Sequence, residues 1–147
     1  VPITQLDDVL LEAEFLVLVV PHADDTVGLL DRRRIGLLPR GSVVINIGRG
    51  ALIDEPALID ALTSGHLGGA GLDVFEEEPL PSTSPLWQMP NVIVSPHSAG
   101  TSDRENARLL DLFVDNLGRW QRGETLRNVL DPAAILETPT QAGEAAS

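Results

Sequence analysis

An arginine set between two glycines ends an apolar run, Val43-Val44-Ile45-Asn46-Ile47-Gly48-Arg49-Gly50. A guanidinium is a planar fork of donors that pairs bidentately with a carboxylate or a 2-oxo acid, and glycine neighbours let ligands approach the backbone. The bland alternative is an arginine satisfied by a nearby protein carboxylate. A second candidate is His97, which follows Pro96 at the end of another apolar run and precedes Ser98-Ala99-Gly100. Histidine gives and takes protons near neutral pH, and a neighbouring carboxylate stabilises its imidazolium. Between the two candidates lie Asp73, at the end of a glycine-dense run, and three carboxylates in a row, Glu76, Glu77 and Glu78. Taken alone, a histidine after a proline also reads as a structural residue, and Asp73 as a turn or cap.

The Gly48-Arg49-Gly50 turn fails as a phosphate cradle. The pattern G-x-G-x-x-G needs a glycine at position 53, which is Ile53, and the next helix opens with Asp54 and Glu55, two charges that repel pyrophosphate. No other stretch matches, so any pyrophosphate loop of this fold is expected upstream of these residues. The sequence has no cysteine, which excludes disulfides, thiol nucleophiles and cysteine-ligated metals, and no metal site is expected. A reducing cytoplasm fits that composition. Ten basic against 22 acidic residues give a net charge of −12, which argues against nucleic acid or an anionic membrane as partner. The one basic cluster, Arg32-Arg33-Arg34 beside Asp31, reads as a solvated face. No apolar run reaches the roughly 18 residues of a membrane span.

Elements able to position these residues follow from the hydrophobic pattern. Phe15 to Val20 is continuously apolar, as a strand buried on both faces should be, and Pro21 ends it. Asp31 to Leu38 predicts a short helix, and Ser42 to Ile47 a second strand. Asp54 caps a helix with Pro56 in its first turn, closed by Gly65. Gly71 to Phe75 and Asn91 to Ser95 predict two further strands. Ser102 with Glu105 predicts a capping box for a long helix carrying Leu110, Phe113, Val114 and Leu117 at helical spacing. Strands separated by helices imply a parallel α/β sheet, whose ligands meet the loops at the carboxyl ends of the strands. Residues 131–147 lack periodicity and read as a disordered tail.

In order and spacing, Asn46 to Glu55, Gly68 to Pro79, Pro85-Leu86-Trp87 and Pro90 to His97 closely resemble the D-isomer-specific 2-hydroxyacid dehydrogenases. The resemblance runs from Leu6 to about Asn128 and implies the second half of a Rossmann-type NAD(P)-binding domain over 1–100. It also implies a return helix and segment of a substrate domain over 101–130. Arg49 then holds the carboxylate and carbonyl oxygen of a small 2-oxo acid, His97 protonates the carbonyl oxygen as hydride arrives from NAD or NADP, and Glu78, immediately before Pro79, orients His97. Cofactor contacts are implied for Val20, Pro21, Ile47, Gly48, Arg49, Asp73, His97, Ser98, Ala99 and Gly100. The Glu78 to Trp87 segment looks most like the glyoxylate and hydroxypyruvate reductase branch.

The family is typically dimeric through its nucleotide-binding domains, so a homodimer is expected when the chain is full length. Many relatives carry an aliphatic residue where this chain has His22, which makes His22 a poor catalytic candidate. His66 reads as a surface residue, and Trp87 and Trp120 as packing or interface anchors. Since the glycine-rich loop and the closing domain are not in this sequence, the isolated chain is expected to be inactive, and the NAD or NADP determinant to lie upstream. The alternative function is a non-catalytic nucleotide-sensing or protein-interaction module of the same fold, as in corepressor relatives. Sensing needs no proton donor, so Arg49, Glu78 and His97 together favour the enzyme.

Overall fold

The structure, a computed structural model, describes residues 5–130. The expected irregular tail and the first four residues lie outside them. The chain divides into two compact units, one ending at Gly100 and the other beginning at Thr101.

In the first unit four parallel strands, β1 (Phe15–Leu18), β2 (Val43–Asn46), β3 (Gly69–Leu72) and β4 (Val92–Val94), pair in the order β1-β2-β3-β4. The helices are α1 (Leu6–Leu10), α2 (Arg32–Ile35) and α3 (Glu55–Thr63). β1, β2 and β4 are shorter than their apolar runs, because the residues past them turn into loops, whereas β3 begins two residues before the expected Gly71 and ends at Leu72. The β3 to β4 connection carries a 3-10 turn, Pro85–Gln88, and no α-helix.

The local signals act as their chemistry dictates. Asp31 caps α2 by accepting from the Arg34 N–H at 2.7 Å, and Asp54 caps α3 by accepting from Ala57 at 2.9 Å. On α3, Ala57, Leu58, Ala61 and Leu62 are buried on one face, and each leucine contributes roughly 1.5–3 kcal/mol by leaving water. α2 ends at Ile35, earlier than expected, since Gly36 and Gly41 surround a stretch stopped by Pro39. Arg33 and Arg34 both reach Asp7, and Arg32 reaches Asp60, so the basic triplet is a paired face. His66 is partly buried, its Nε2 lying 3.0 Å from the Ile35 carbonyl, rather than a free surface residue.

β1 departs from its expected burial on both faces. Leu18 is buried but Phe15 and Val17 are exposed, and among the described strands β1 lies outermost. Register matters more for the site. Leu18 pairs with Asn46, Asn46 with Leu72, and Leu72 with Val94, so all four strands end level. The ladder then runs one residue further, with Ile47 donating to Leu18, Asp73 to Asn46 and Ser95 to Leu72. Four loops therefore leave one edge of the sheet together.

The second unit contains α4 (Glu105–Gln121). Its N-cap is Arg104 with no side-chain cap bond; only the Ser102 carbonyl accepts from Glu105, so the expected capping box does not form. Gly123 ends the helix with φ +69°, and Asn116 binds the Arg127 backbone through both its amide groups. No described helix is long and apolar enough to cross a membrane.

Candidate active site

The loop after β2 is built around Asn46. This side chain is 1% exposed, its Oδ1 accepts from the Gly48 N–H at 3.1 Å, and its Nδ2 donates to the Arg49 carbonyl at 2.8 Å. Buried polar atoms must be paired, so the loop closes on the asparagine and presents Arg49 outward. Gly48 fits only without a side chain: a Cβ there would lie 2.8 Å from the Val20 carbonyl oxygen. Gly50 is tighter still, since its Cβ would fall 1.8 Å from the Phe75 carbonyl oxygen. That contact packs the Arg49 loop against the loop following β3. Arg49 is exposed, its Nη1 donates to the Gly48 carbonyl at 2.6 Å, and among the described residues it pairs with no carboxylate.

The loop after β3 carries Glu78. Its Oε1 accepts from the Phe75 N–H at 3.0 Å, and its Oε2 lies 2.7 Å from His97 Nδ1. An ionised carboxylate can only accept, so Nδ1 carries a proton and the exchangeable position of the ring is Nε2. The hydrogen bond from His97 holds the Glu78 carboxyl below the usual carboxylate range; burial opposes this, and the Phe75 N–H and the charges of His97 and Arg49 add to it. Glu76 and Glu77 are exposed, and the Glu76 backbone is tied to Glu55 Oε2 at 3.2 Å. Among the three glutamates, Glu78 alone meets the histidine.

The loop after β4 carries His97, held by Asp73. Asp73 is 4% exposed and accepts from the Ser95 hydroxyl, from the Ser98 N–H at 2.9 Å and from the Ala99 N–H at 2.8 Å. Burial pushes this carboxyl up, but the bonds from Ser95, Ala99 and Ser98 outweigh it, aided by the charge of His97, and the net shift is downward. A cavity of about 540 Å³ opens beside Glu78 and His97, walled by Phe75, Leu80, Trp87 and Val94. Trp87 is half-exposed there, with its Nε1 donating to the Pro81 carbonyl at 2.9 Å, and Trp120 of the second unit is exposed.

A nicotinamide cofactor suits the opposite end of this edge. Val20 and Ile47 are exposed aliphatic side chains on adjacent loops, whose backbones touch at Gly48, and Pro21 follows. Such a ledge offers apolar surface and bare backbone to a flat ring. Ser98, Ala99 and Gly100 are exposed, and a Cβ on Gly100 would meet nothing within 4 Å. His22 is exposed beside Pro21 and makes no hydrogen bond among the described residues. No group of three or more His, Cys, Asp or Glu able to hold a metal occurs among the described residues.

Three residues of this arrangement escape the reading of motifs: Asn46, Glu55 and Ser95. Asn46 carried a usable signal, because an asparagine inside an otherwise aliphatic strand end, just before a glycine turn, favours side-chain bonds to the local backbone. Glu55 and Ser95 carried none, since their partners lie far along the chain.

Residues 1–99 match the model of the D-isomer specific 2-hydroxyacid dehydrogenase NAD binding domain. A glyoxylate/hydroxypyruvate reductase B of Serratia proteamaculans is 38% identical over 130 residues, 88% of this chain and 40% of that protein. The chain thus spans about 40% of the length of such curated relatives. Among solved structures, a D-isomer specific 2-hydroxyacid dehydrogenase from Xanthobacter autotrophicus Py2 in complex with NADPH and MES is 44% identical with a TM-score of 0.78, over 89% of this chain and 53% of that one. An NADPH-dependent glyoxylate/hydroxypyruvate reductase from Sinorhizobium meliloti, in complex with NADP and sulfate, is 39% identical with a TM-score of 0.78, over 87% and 41%. The level strand ends, the Arg49 turn and the Glu78 and His97 pair thus belong to a chain that is a member of the D-isomer specific 2-hydroxyacid dehydrogenase family.

Proposed function

We propose that this chain supplies the catalytic half-site of an NAD(P)H-dependent reductase of small 2-oxo acids, with glyoxylate and hydroxypyruvate as the first substrates to test. The observation that carries this reading is the 2.7 Å contact between His97 Nδ1 and Glu78, on the same sheet edge as Arg49, which pairs with no carboxylate among the described residues. The Val20 and Ile47 ledge would hold the nicotinamide, which would supply the hydride when bound. Arg49 binds the substrate carboxylate and carbonyl oxygen through its fork and holds the carbonyl carbon in place. As the carbonyl oxygen becomes an alkoxide, His97 gives it the Nε2 proton, while Glu78 stabilises the imidazolium beforehand and keeps the ring turned. In the oxidative direction the neutral ring takes that proton back. Backbone at Gly48 and at Ser98 to Gly100, together with Pro21, borders the cofactor.

The names of relatives support this reading: the Serratia protein is a glyoxylate/hydroxypyruvate reductase, and the Sinorhizobium one is an NADPH-dependent glyoxylate/hydroxypyruvate reductase. A nucleotide-sensing module would have no use for the histidine and glutamate pair. In the complete enzyme a homodimer is expected, and the cysteine-free sequence suits the cytoplasm; light scattering tests the first and fractionation the second. The isolated chain should bind NAD(P)H weakly and show no turnover, because its sequence has no pyrophosphate loop. The experiment is a 340 nm assay on a polypeptide in which this chain is joined to the remaining length found in its relatives. Consumption of NAD(P)H on adding glyoxylate or hydroxypyruvate is the expected result. No consumption with any small 2-oxo acid, by a folded protein that binds the cofactor, would overturn the reading.

A further inference from the structure

Asp73 is the one buried carboxylate among the described residues. Its oxygens are already engaged: Oδ1 takes the Ser95 hydroxyl and the Ser98 N–H, and Oδ2 takes the Ala99 N–H. Three of its roughly four acceptor sites are therefore filled by a single loop. Those three donors bracket His97 on both sides. His97 itself stands at φ +52°, in the left-handed region that side-chain-bearing residues avoid unless their surroundings impose it. Nothing in the sequence around it requires that conformation, and Gly100, the nearest residue free to adopt it cheaply, does not.

We propose that Asp73 is a positioning residue that, with Ser95, clamps the backbone on both sides of His97 and so imposes the left-handed turn that brings its Nδ1 to Glu78. The proposal rests on the reading of His97 as proton donor, but it concerns the conformation of the loop. With Asp73 anchored by its own strand, the N–H groups of Ser98 and Ala99 must both point back toward the sheet, and only a left-handed residue 97 reverses the chain sharply enough to allow this. If the clamp opens, residue 97 returns to negative φ and the imidazole leaves Glu78. The dyad is then made by Asp73 as much as by its own members.

The test is nuclear magnetic resonance on the 147-residue chain, so it does not depend on activity and its failure leaves the reductase reading untouched. In the parent chain His97 should give the strong intraresidue HN to Hα contact of a positive φ, slowly exchanging amides at Ser98 and Ala99, and imidazole nitrogen shifts of an Nδ1-protonated ring. In Asp73→Asn, with the amide shifts of β1 and β2 unchanged, that contact should weaken, the two amides should exchange at least ten-fold faster, and the nitrogen shifts should move to the average of both tautomers. Ser95→Ala should do the same to a lesser degree, which covers a failure of Asp73→Asn to fold. Glu78→Gln should alter the ring signals and leave the two amides protected. In both Asp73→Asn and Ser95→Ala the faster amides should appear together with loss of the positive-φ contact at residue 97 and of the Nδ1-protonated ring signature. Protection and φ unchanged in both variants would overturn the proposal. So would faster amides with residue 97 still at positive φ, since Asp73 would then bind the loop without imposing its turn.

Discussion

The loop that carries Arg49 and the loop that carries His97 leave the same edge of the sheet and are fixed by opposite means. The Arg49 loop is held by what is missing: Gly48 and Gly50 let backbone meet backbone, and a neutral buried amide, Asn46, closes the turn. The His97 loop is held by charge: a buried carboxylate binds its backbone, and a second carboxylate binds its ring. Steric fixation is insensitive to pH and salt but intolerant of added atoms. Electrostatic fixation tolerates small changes of shape but depends on ionisation. The substrate-binding cation and the proton donor therefore differ in what can disturb them.

The sharpest way to break this contrast is to add one methyl group. Gly50→Ala would force its Cβ to within 1.8 Å of the Phe75 carbonyl oxygen, and every atom it would meet is backbone of Phe75 or Glu76 in the loop after β3. Overpacking of that severity should destabilise the first unit by about 3 kcal/mol or more. Gly100→Ala in the other loop meets open space and should change stability by less than about 0.5 kcal/mol. Urea unfolding of the two variants beside the parent measures both. Similar effects from the two substitutions would show that close backbone approach does not distinguish the loops.

Arg49→Lys comes next. The charge is kept but the fork is lost, so in the assembled enzyme kcat/KM for the 2-oxo acid should fall about 100-fold or more, roughly 2.7 kcal/mol. KM for the cofactor should hold. A variant within three-fold of the parent would make Arg49 a structural residue and remove the functional side of the comparison.

How far sequence reading reached follows the same division. Arg49 between its glycines, and His97 after Pro96, are visible because their oddity is local: a cation at the end of an aliphatic run, an imidazole at a strand end. Asp54 as a cap was equally legible, since its bond to Ala57 spans three residues. The clamp on His97 was not, because Asp73 meets Ser98 and Ala99 across the gap between two strands. Nor could an apolar run such as Phe15 to Leu18 say which of its side chains the described residues leave uncovered. Hydrophobicity states that a strand wants cover; the order of strands decides which faces receive it. The missing capping box at Ser102 shows the converse, a local signal without the geometry that would realise it.

Asn46→Ala sharpens the comparison from the neutral side. It strips the Gly48 N–H and the Arg49 carbonyl of their partner in a buried place, which should cost about 1–3 kcal/mol. The amide of Gly48 should lose protection against exchange while those of Ser98 and Ala99 keep theirs. Equal losses at all three would mean that the loops form one cooperative unit rather than two separately fixed ones.

The smallest effect is the response to acid, and its sign separates the loops most directly. Glu78 is held below the usual carboxylate range, first by its bond from His97, so the pair contributes stability above the ordinary glutamate pKa and loses it as pH falls through the lower folded value. Glu78 is about one-third exposed, so solvent screening limits that contribution to roughly 1 kcal/mol at most. Asp73, also shifted downward, follows the same sign. Lowering pH from neutrality toward about 3, still within the carboxylate titration range, should therefore loosen the His97 loop while the Asn46 turn, closed by a neutral amide on backbone groups, stays closed. The carboxyl carbon of Glu78 should titrate with a midpoint below the ordinary glutamate value, and His97→Ala should raise it toward that value. A midpoint indifferent to His97→Ala would mean that the 2.7 Å contact does not hold the carboxylate in solution, and the charge-fixed half of the comparison would fall.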